Sequence, residues 1–173
     1  MEEQTFRSRL VELLKKSRKA SRLYSGVGRT RRGSAFAEVQ AAEWLSVNNA
    51  LVVQLSEALE DPSSTRLTAS SLTLLSNLLT QSQLCSDELA NKKQRLVSIA
   101  ESGDFVQTAL LSKELVATKA RLQALQAAYA EVKGVVKRAR TVMDSVELNG
   151  ELPLVEPERK AAKIIPFRQR QAS

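Results

Sequence analysis

The chain reads as all-α: a long antiparallel helical hairpin packed with one or two shorter helices and followed by an irregular C-terminal tail. Two observations carry that reading. Leu, Ala, Ser, Gln, Lys, Arg and Glu dominate, while aromatic residues make up only 4% of the 173 residues, with six glycines and four prolines. That palette favours helices, and the β-branched and aromatic runs that suit strands are nearly missing. Over residues 111–146, apolar residues also recur in alternating steps of four and three, the mark of a long helix with one buried face. At 43% hydrophobic, a chain of this length can bury one sizeable core.

In the first expected helix, residues 5–23, Phe6, Leu10, Leu13 and Leu14 form a short apolar stripe. Beyond Leu14 the stripe gives way to Ser17 and Ser21, so the first half is expected to dock and the second to project into solvent. Residues 25–34 follow with three glycines, three arginines and two serines, the composition of a flexible basic loop.

A second helix is expected from Ser34 as N-cap, with Glu38 in its first turn where a carboxylate suits the helix dipole. Trp44, Val47, Leu51, Leu55, Ala58 and Leu59 make its buried stripe. Asp61-Pro62-Ser63-Ser64 closes it, and Ser64 or Thr65 is expected to cap the next helix.

The third helix, about 65–100, begins with Thr68, Ser70, Ser71 and Thr73 mixed among leucines. It settles into Leu78, Ser82, Cys85, Leu89, Lys92, Leu96 and Ile99, and Ser102-Gly103-Asp104 breaks it. Lys92 on that seam reads as a snorkelling side chain or a register device, and Cys85 as an inert core thiol.

The fourth helix, about 105–147, carries the clearest pattern: Leu111, Leu115, Thr118, Leu122, Leu125, Tyr129, Val132, Val136, Ala139, Met143 and Val146. The three-residue turn before it folds helices three and four into an antiparallel pair. Val135 and Val142 widen its apolar face, so the pair should bury further surface on helix two or on another copy of the chain. Leu111, Leu115, Leu122, Leu125, Tyr129, Val132, Val136 and Met143 are thus candidates for a hairpin or oligomer seam. Three organisational units follow: 1–34, a basic helix and loop; 35–149, a helical bundle with the long hairpin; and 150–173, a Pro-containing tail. In that tail Ile164, Ile165, Phe167 and Arg168 surround Pro166, which gives a candidate partner-docking segment.

Charge is unevenly placed. Residues 1–34 hold ten basic and three acidic residues, equal to the whole chain's net charge of +7, while residues 35–149 hold 11 basic and 13 acidic ones. The ten cations, Arg7, Arg9, Lys15, Lys16, Arg18, Lys19, Arg22, Arg29, Arg31 and Arg32, are candidates for phosphate contact, since clustered Lys and Arg supply the salt-dependent part of nucleic-acid binding. Only Tyr24 lies near them for stacking, and no helix-turn-helix pattern is present, so backbone contact with DNA or RNA is expected rather than base reading.

Catalysis is not expected. The chain has no histidine and one cysteine, which excludes an intrachain disulfide and imidazole or multi-thiolate metal sites, and no cofactor is implied. Ser25-Gly-Val-Gly-Arg lacks the strand and the Gly-Lys-Ser/Thr ending of a nucleotide loop. There is no apolar run of membrane-spanning length, and the composition fits a reducing, cytoplasmic setting. The function expected is a non-enzymatic nucleic-acid-binding subunit of a homo- or hetero-oligomeric assembly, with a protein partner on its tail. The alternative is a coiled-coil adaptor or assembly/secretion factor whose basic segment meets an acidic protein or a membrane surface.

Overall fold

A computed structural model describes residues 2–27 and 35–143. Four helices follow in order: α1 (Glu2–Val27), α2 (Ala35–Glu60), α3 (Ser64–Glu101) and α4 (Phe105–Met143). There is no strand among the described residues, and the all-α reading holds.

The α2–α3 and α3–α4 junctions are set by local hydrogen bonding. After α2, the Asp61 carboxylate accepts from the Ser63 amide at 2.8 Å and from the Arg66 guanidinium at 3.4 Å. The Ser63 amide holds the Asp61 carboxyl below its ordinary 3.8, with Arg66 and Arg7 adding to the effect against partial desolvation. That turn makes Ser63 the N-cap of α3, its hydroxyl accepting from the Arg66 amide, in place of the expected Ser64 or Thr65. The α3–α4 turn falls at Ser102-Gly103-Asp104, as expected. Gly103 takes φ +77°, a left-handed conformation that suits glycine just past a helix end. Asp104 then caps α4 by accepting from the Gln107 amide at 3.0 Å.

These junctions fix the directions of packing. The Cys85 thiol donates to the Thr118 carbonyl and Lys92 reaches Glu114, so partner numbers rise on α3 as they fall on α4, and the two helices run antiparallel. Arg7 meets Leu59 and Asp61 while Tyr24 stacks on Trp44, so α1 and α2 are antiparallel too. Helix α2 ends where α3 begins and therefore runs parallel to α4. With 26 residues each, α1 and α2 span about 39 Å, whereas α3 and α4, at 38 and 39 residues, span about 57 Å. The hairpin thus overruns its partners by roughly 18 Å, and this overrun forms a two-helix arm ending at the 102–104 turn.

One core joins all four helices: Leu10, Leu13 and Leu14 from α1, Val47, Leu51 and Leu55 from α2, Leu67, Leu74, Leu78 and Cys85 from α3, Leu125, Val132 and Val136 from α4. Of the stripes expected in α2 and along the hairpin, Val47, Leu51, Leu55, Leu78, Ser82, Cys85, Leu89, Leu111, Thr118, Leu125, Val132 and Val136 are buried and the other described side chains half-buried; Val146 lies outside the described residues. Two features differ from expectation. The second half of α1 does not project freely: Ser17 is buried, and Tyr24 stacks on Trp44 with ring centroids 5.6 Å apart. Serines and alanine on that stretch are small enough for a close helix approach, which hydropathy does not register. Helix α4 also buries Ala120, Ala124 and Ala128, a row at four-residue spacing turned away from the α3 seam. Small side chains there let α4 pack on α3 and on the α1–α2 pair at once. The second apolar face of α4 is accordingly covered within the chain by α2 and α1.

The buried polar side chains described in the hairpin are satisfied. The Ser71 and Ser82 hydroxyls each donate to the carbonyl one turn back at 2.8 Å. Lys92 bonds the Thr118 hydroxyl at 2.9 Å and pairs with Glu88 at 2.7 Å and Glu114 at 3.6 Å. Desolvation pulls its pKa down, but the hydrogen bonds and charges of Glu88 and Glu114 outweigh it and hold Lys92 above its ordinary 10.5. Burial pushes the Cys85 thiol up, away from the reactive thiolate, in line with an inert core cysteine.

Candidate nucleic-acid interface

Seven of the ten candidate cations lie on α1; Arg29, Arg31 and Arg32 fall outside the described residues. The structure divides the seven by task. Arg7 is half-buried, and its guanidinium donates to the carbonyls of Leu59 and, at 3.0 Å, Asp61. These carbonyls belong to the end of α2, where no further turn satisfies them. Arg7 therefore caps α2. Lys16 pairs with Glu131 of α4, and Arg18 reaches the Ser56 hydroxyl of α2 at 3.3 Å.

The side chains of the other four, Arg9, Lys15, Lys19 and Arg22, make no hydrogen bond or ion pair with another described residue; the Arg22 carbonyl accepts from the Ser25 hydroxyl at 2.8 Å. At about 100° of rotation per residue, Lys15, Lys19 and Arg22 fall within a strip roughly 60° wide. This strip is turned away from Leu10, Leu14 and Ser17. All three are exposed. Positions i, i+4 and i+7 place them over about 10 Å of helix, with Arg18 on the near flank and the exposed Glu12 as the nearest acid along the helix. Arg9 is half-buried on the opposite flank, towards α4. Helix α1 ends at Val27, so this strip runs directly into the segment that carries Arg29, Arg31 and Arg32.

Tyr24, the aromatic group nearest these cations, is committed to Trp44 at a 27° interplanar angle and half-buried. Tyr24 is therefore not free to stack on a base beside the strip. Beneath Lys16 and Glu131 lies a cleft of about 210 Å³ lined by Leu13, Tyr24, Trp44 and Ala127 among others, smaller than the usual small-molecule pocket.

Of the candidate seam residues, Leu111, Leu125, Val132 and Val136 are buried, and Leu115, Leu122 and Tyr129 are half-buried, all within one chain. Met143 is the last residue of α4. The tail residues Ile164, Ile165, Phe167 and Arg168 lie outside the described residues. Sequence reasoning missed the capping role of Arg7. Its place next to Phe6 on the edge of the apolar stripe was the available signal. Nothing local pointed to Lys16–Glu131, a pair 115 residues apart.

Among the described residues, no group of three His, Cys, Asp or Glu side chains is placed to hold a metal ion. None of their helices is long and apolar enough to cross a membrane. No family model, curated protein or solved structure matches the chain.

Proposed function

We propose that this protein is a non-enzymatic, helical nucleic-acid-binding subunit of a larger assembly, which meets the phosphate backbone through the outward strip of α1. The observation that carries this reading is the sorting of cations on α1. Arg7, Lys16 and Arg18 are engaged by the fold, whereas Lys15, Lys19 and Arg22 share one exposed face with no acidic partner among the described residues. A solvated helix that merely needs solubility gains nothing from a single-sign row. A row of cations leading into Arg29, Arg31 and Arg32 suits a polyanion. The rigid helix fixes where the backbone sits, and the arginines beyond Val27 extend the contact. A cytoplasmic setting fits the single protected thiol.

The test is binding of the full-length protein to duplex DNA and duplex RNA, by gel shift or fluorescence anisotropy. The triple variant Lys15→Gln, Lys19→Gln, Arg22→Gln is expected to weaken binding at least tenfold with no change in melting temperature. Point substitutions are required because α1 supplies part of the core. Binding to anionic vesicles or an acidic protein, with none to either duplex, would overturn the reading in favour of an adaptor.

A further inference from the structure

The free end of the two-helix arm is both apolar and acidic. Val97, Phe105, Val106 and Leu110 are exposed there, Phe105 to 86%. Residues 96–112, the extreme end of the arm, contain Glu101 and Asp104 and no Lys or Arg, and Arg95 and Lys113 bound this acidic stretch. Neither α1 nor α2 reaches this far along the hairpin. Val106 and Leu110, four residues apart, share one side of α4, while Phe105 lies about 140° round the helix from Leu110, so the tip presents apolar side chains on more than one side. Large apolar side chains left exposed at one tip mark a surface that another segment covers.

The chain holds a segment of complementary chemistry. Residues 159–173 carry Arg159, Lys160, Lys163, Arg168 and Arg170 with no acid, and set Ile164, Ile165 and Phe167 among them. Pro166 lowers the ordering cost of laying that segment down. Its own tip is a poor target on grounds of reach. From Phe105 to Met143, α4 is 39 residues, or about 57 Å. The 20 residues from Asp144 to Lys163 span at most about 70 Å when fully drawn out. Docking on its own tip would stretch the link close to its limit, whereas a neighbouring copy imposes no such constraint.

We propose that residues 163–168 of one copy dock on the arm tip, residues 97–110, of a second copy. The two surfaces differ, so the contact is head-to-tail, and each pair leaves one tip and one tail free for further copies. None of the α1 strip takes part. The proposal therefore stands apart from the nucleic-acid reading and is tested without nucleic acid.

The experiment is sedimentation equilibrium of the full chain over a range of protein concentrations. Wild type is expected to rise above its 19.1 kDa chain mass as concentration increases. A tip variant, Phe105→Gln with Leu110→Gln, and a tail variant, Ile165→Ser with Phe167→Ser, should each associate at least about a hundredfold more weakly, given two apolar anchors removed. Mixed one to one, they should recover a dimer of twice the chain mass and nothing larger, because only one intact tip and one intact tail remain. Glu101→Lys, an exposed change at the end of α3, should weaken association through charge. Melting curves of all the variants should overlay wild type. Wild type that stays monomeric throughout would overturn the proposal. So would a tail variant that still associates while the tip variant does not, the mark of a symmetric tip-to-tip contact. A mixture that fails to pair would overturn it as well.

Discussion

Replacing Arg7 with alanine separates the structural cations from the binding ones. The guanidinium donates two hydrogen bonds, to the Leu59 and Asp61 carbonyls at the end of α2. Hydrogen bonds from a charged donor contribute about 1.5–3 kcal/mol each when buried. A cation at a helix C-terminus adds about 0.3–1 kcal/mol. These carbonyls lie at one end of the bundle, where water can replace much of what the guanidinium gives, so the two bonds together contribute less than fully buried ones would. The expected loss is about 2 kcal/mol, or roughly 4–8 °C in melting temperature for a chain of this size. Arg7→Lys keeps the charge but not the two-pronged geometry and should recover about half. The assay is thermal unfolding followed by circular dichroism, with duplex binding measured well below the transition. Arg7→Ala should melt early yet bind within about twofold of wild type, opposite to the Lys15/Lys19/Arg22 variant. Arg7→Ala with an unchanged melt and a large binding loss would refute the sorting of cations.

Three further outcomes are expected. Leu122→Asp with Leu125→Asp should unfold the protein, since Leu125 is 2% exposed in the core and an uncompensated buried carboxylate costs several kcal/mol; a wild-type melt would refute the seam assignment. Ala120→Leu, at a position 1% exposed, should cost about 1–3 kcal/mol by overpacking, whereas Ala127→Leu, which lines the open cleft, should cost less; equal melting temperatures would contradict the close approach of α4 to its neighbours. The raised pKa of Lys92 gives a stabilising contribution that is fully present below the ordinary 10.5 and lost as pH rises past the folded value, so stability measured by denaturant melts should fall less steeply above pH 10.5 in Lys92→Met than in wild type; parallel profiles would show that Glu88 and Glu114 do not hold this ammonium.

Much of the fold was legible because its signals are local. The steps of four and three through Leu111, Leu125, Val132 and Val136 marked the α4 seam, and Ser102-Gly103-Asp104 marked the turn. What was missed has physical reasons. Alanine favours a helix at any position, so Ala120, Ala124 and Ala128 gave no sign that they form a second packing face. Ser17 and Ser21 read as solvent-facing because close approach depends on size, and the Tyr24–Trp44 stack depends on two helices meeting. Ser63, Ser64 and Thr65 are equivalent as hydroxyl caps until the Asp61 carboxylate takes the Ser63 amide. The basic segment itself was plain in the sequence. Its division into cations that hold the bundle together and cations that face outward was not, since Arg7 and Lys16 find partners 52 to 115 residues away.

Contact between phosphates and the outward cations of α1, with the arginines after it, should show in the salt dependence of duplex binding. If Lys15, Lys19, Arg22, Arg29, Arg31 and Arg32 each displace a counterion, the slope of log K against log salt is expected near −5 for duplex DNA. Lys15→Gln, Lys19→Gln, Arg22→Gln should roughly halve it. No salt-sensitive complex with duplex DNA or RNA, or a slope that the triple substitution leaves unchanged, would contradict the account.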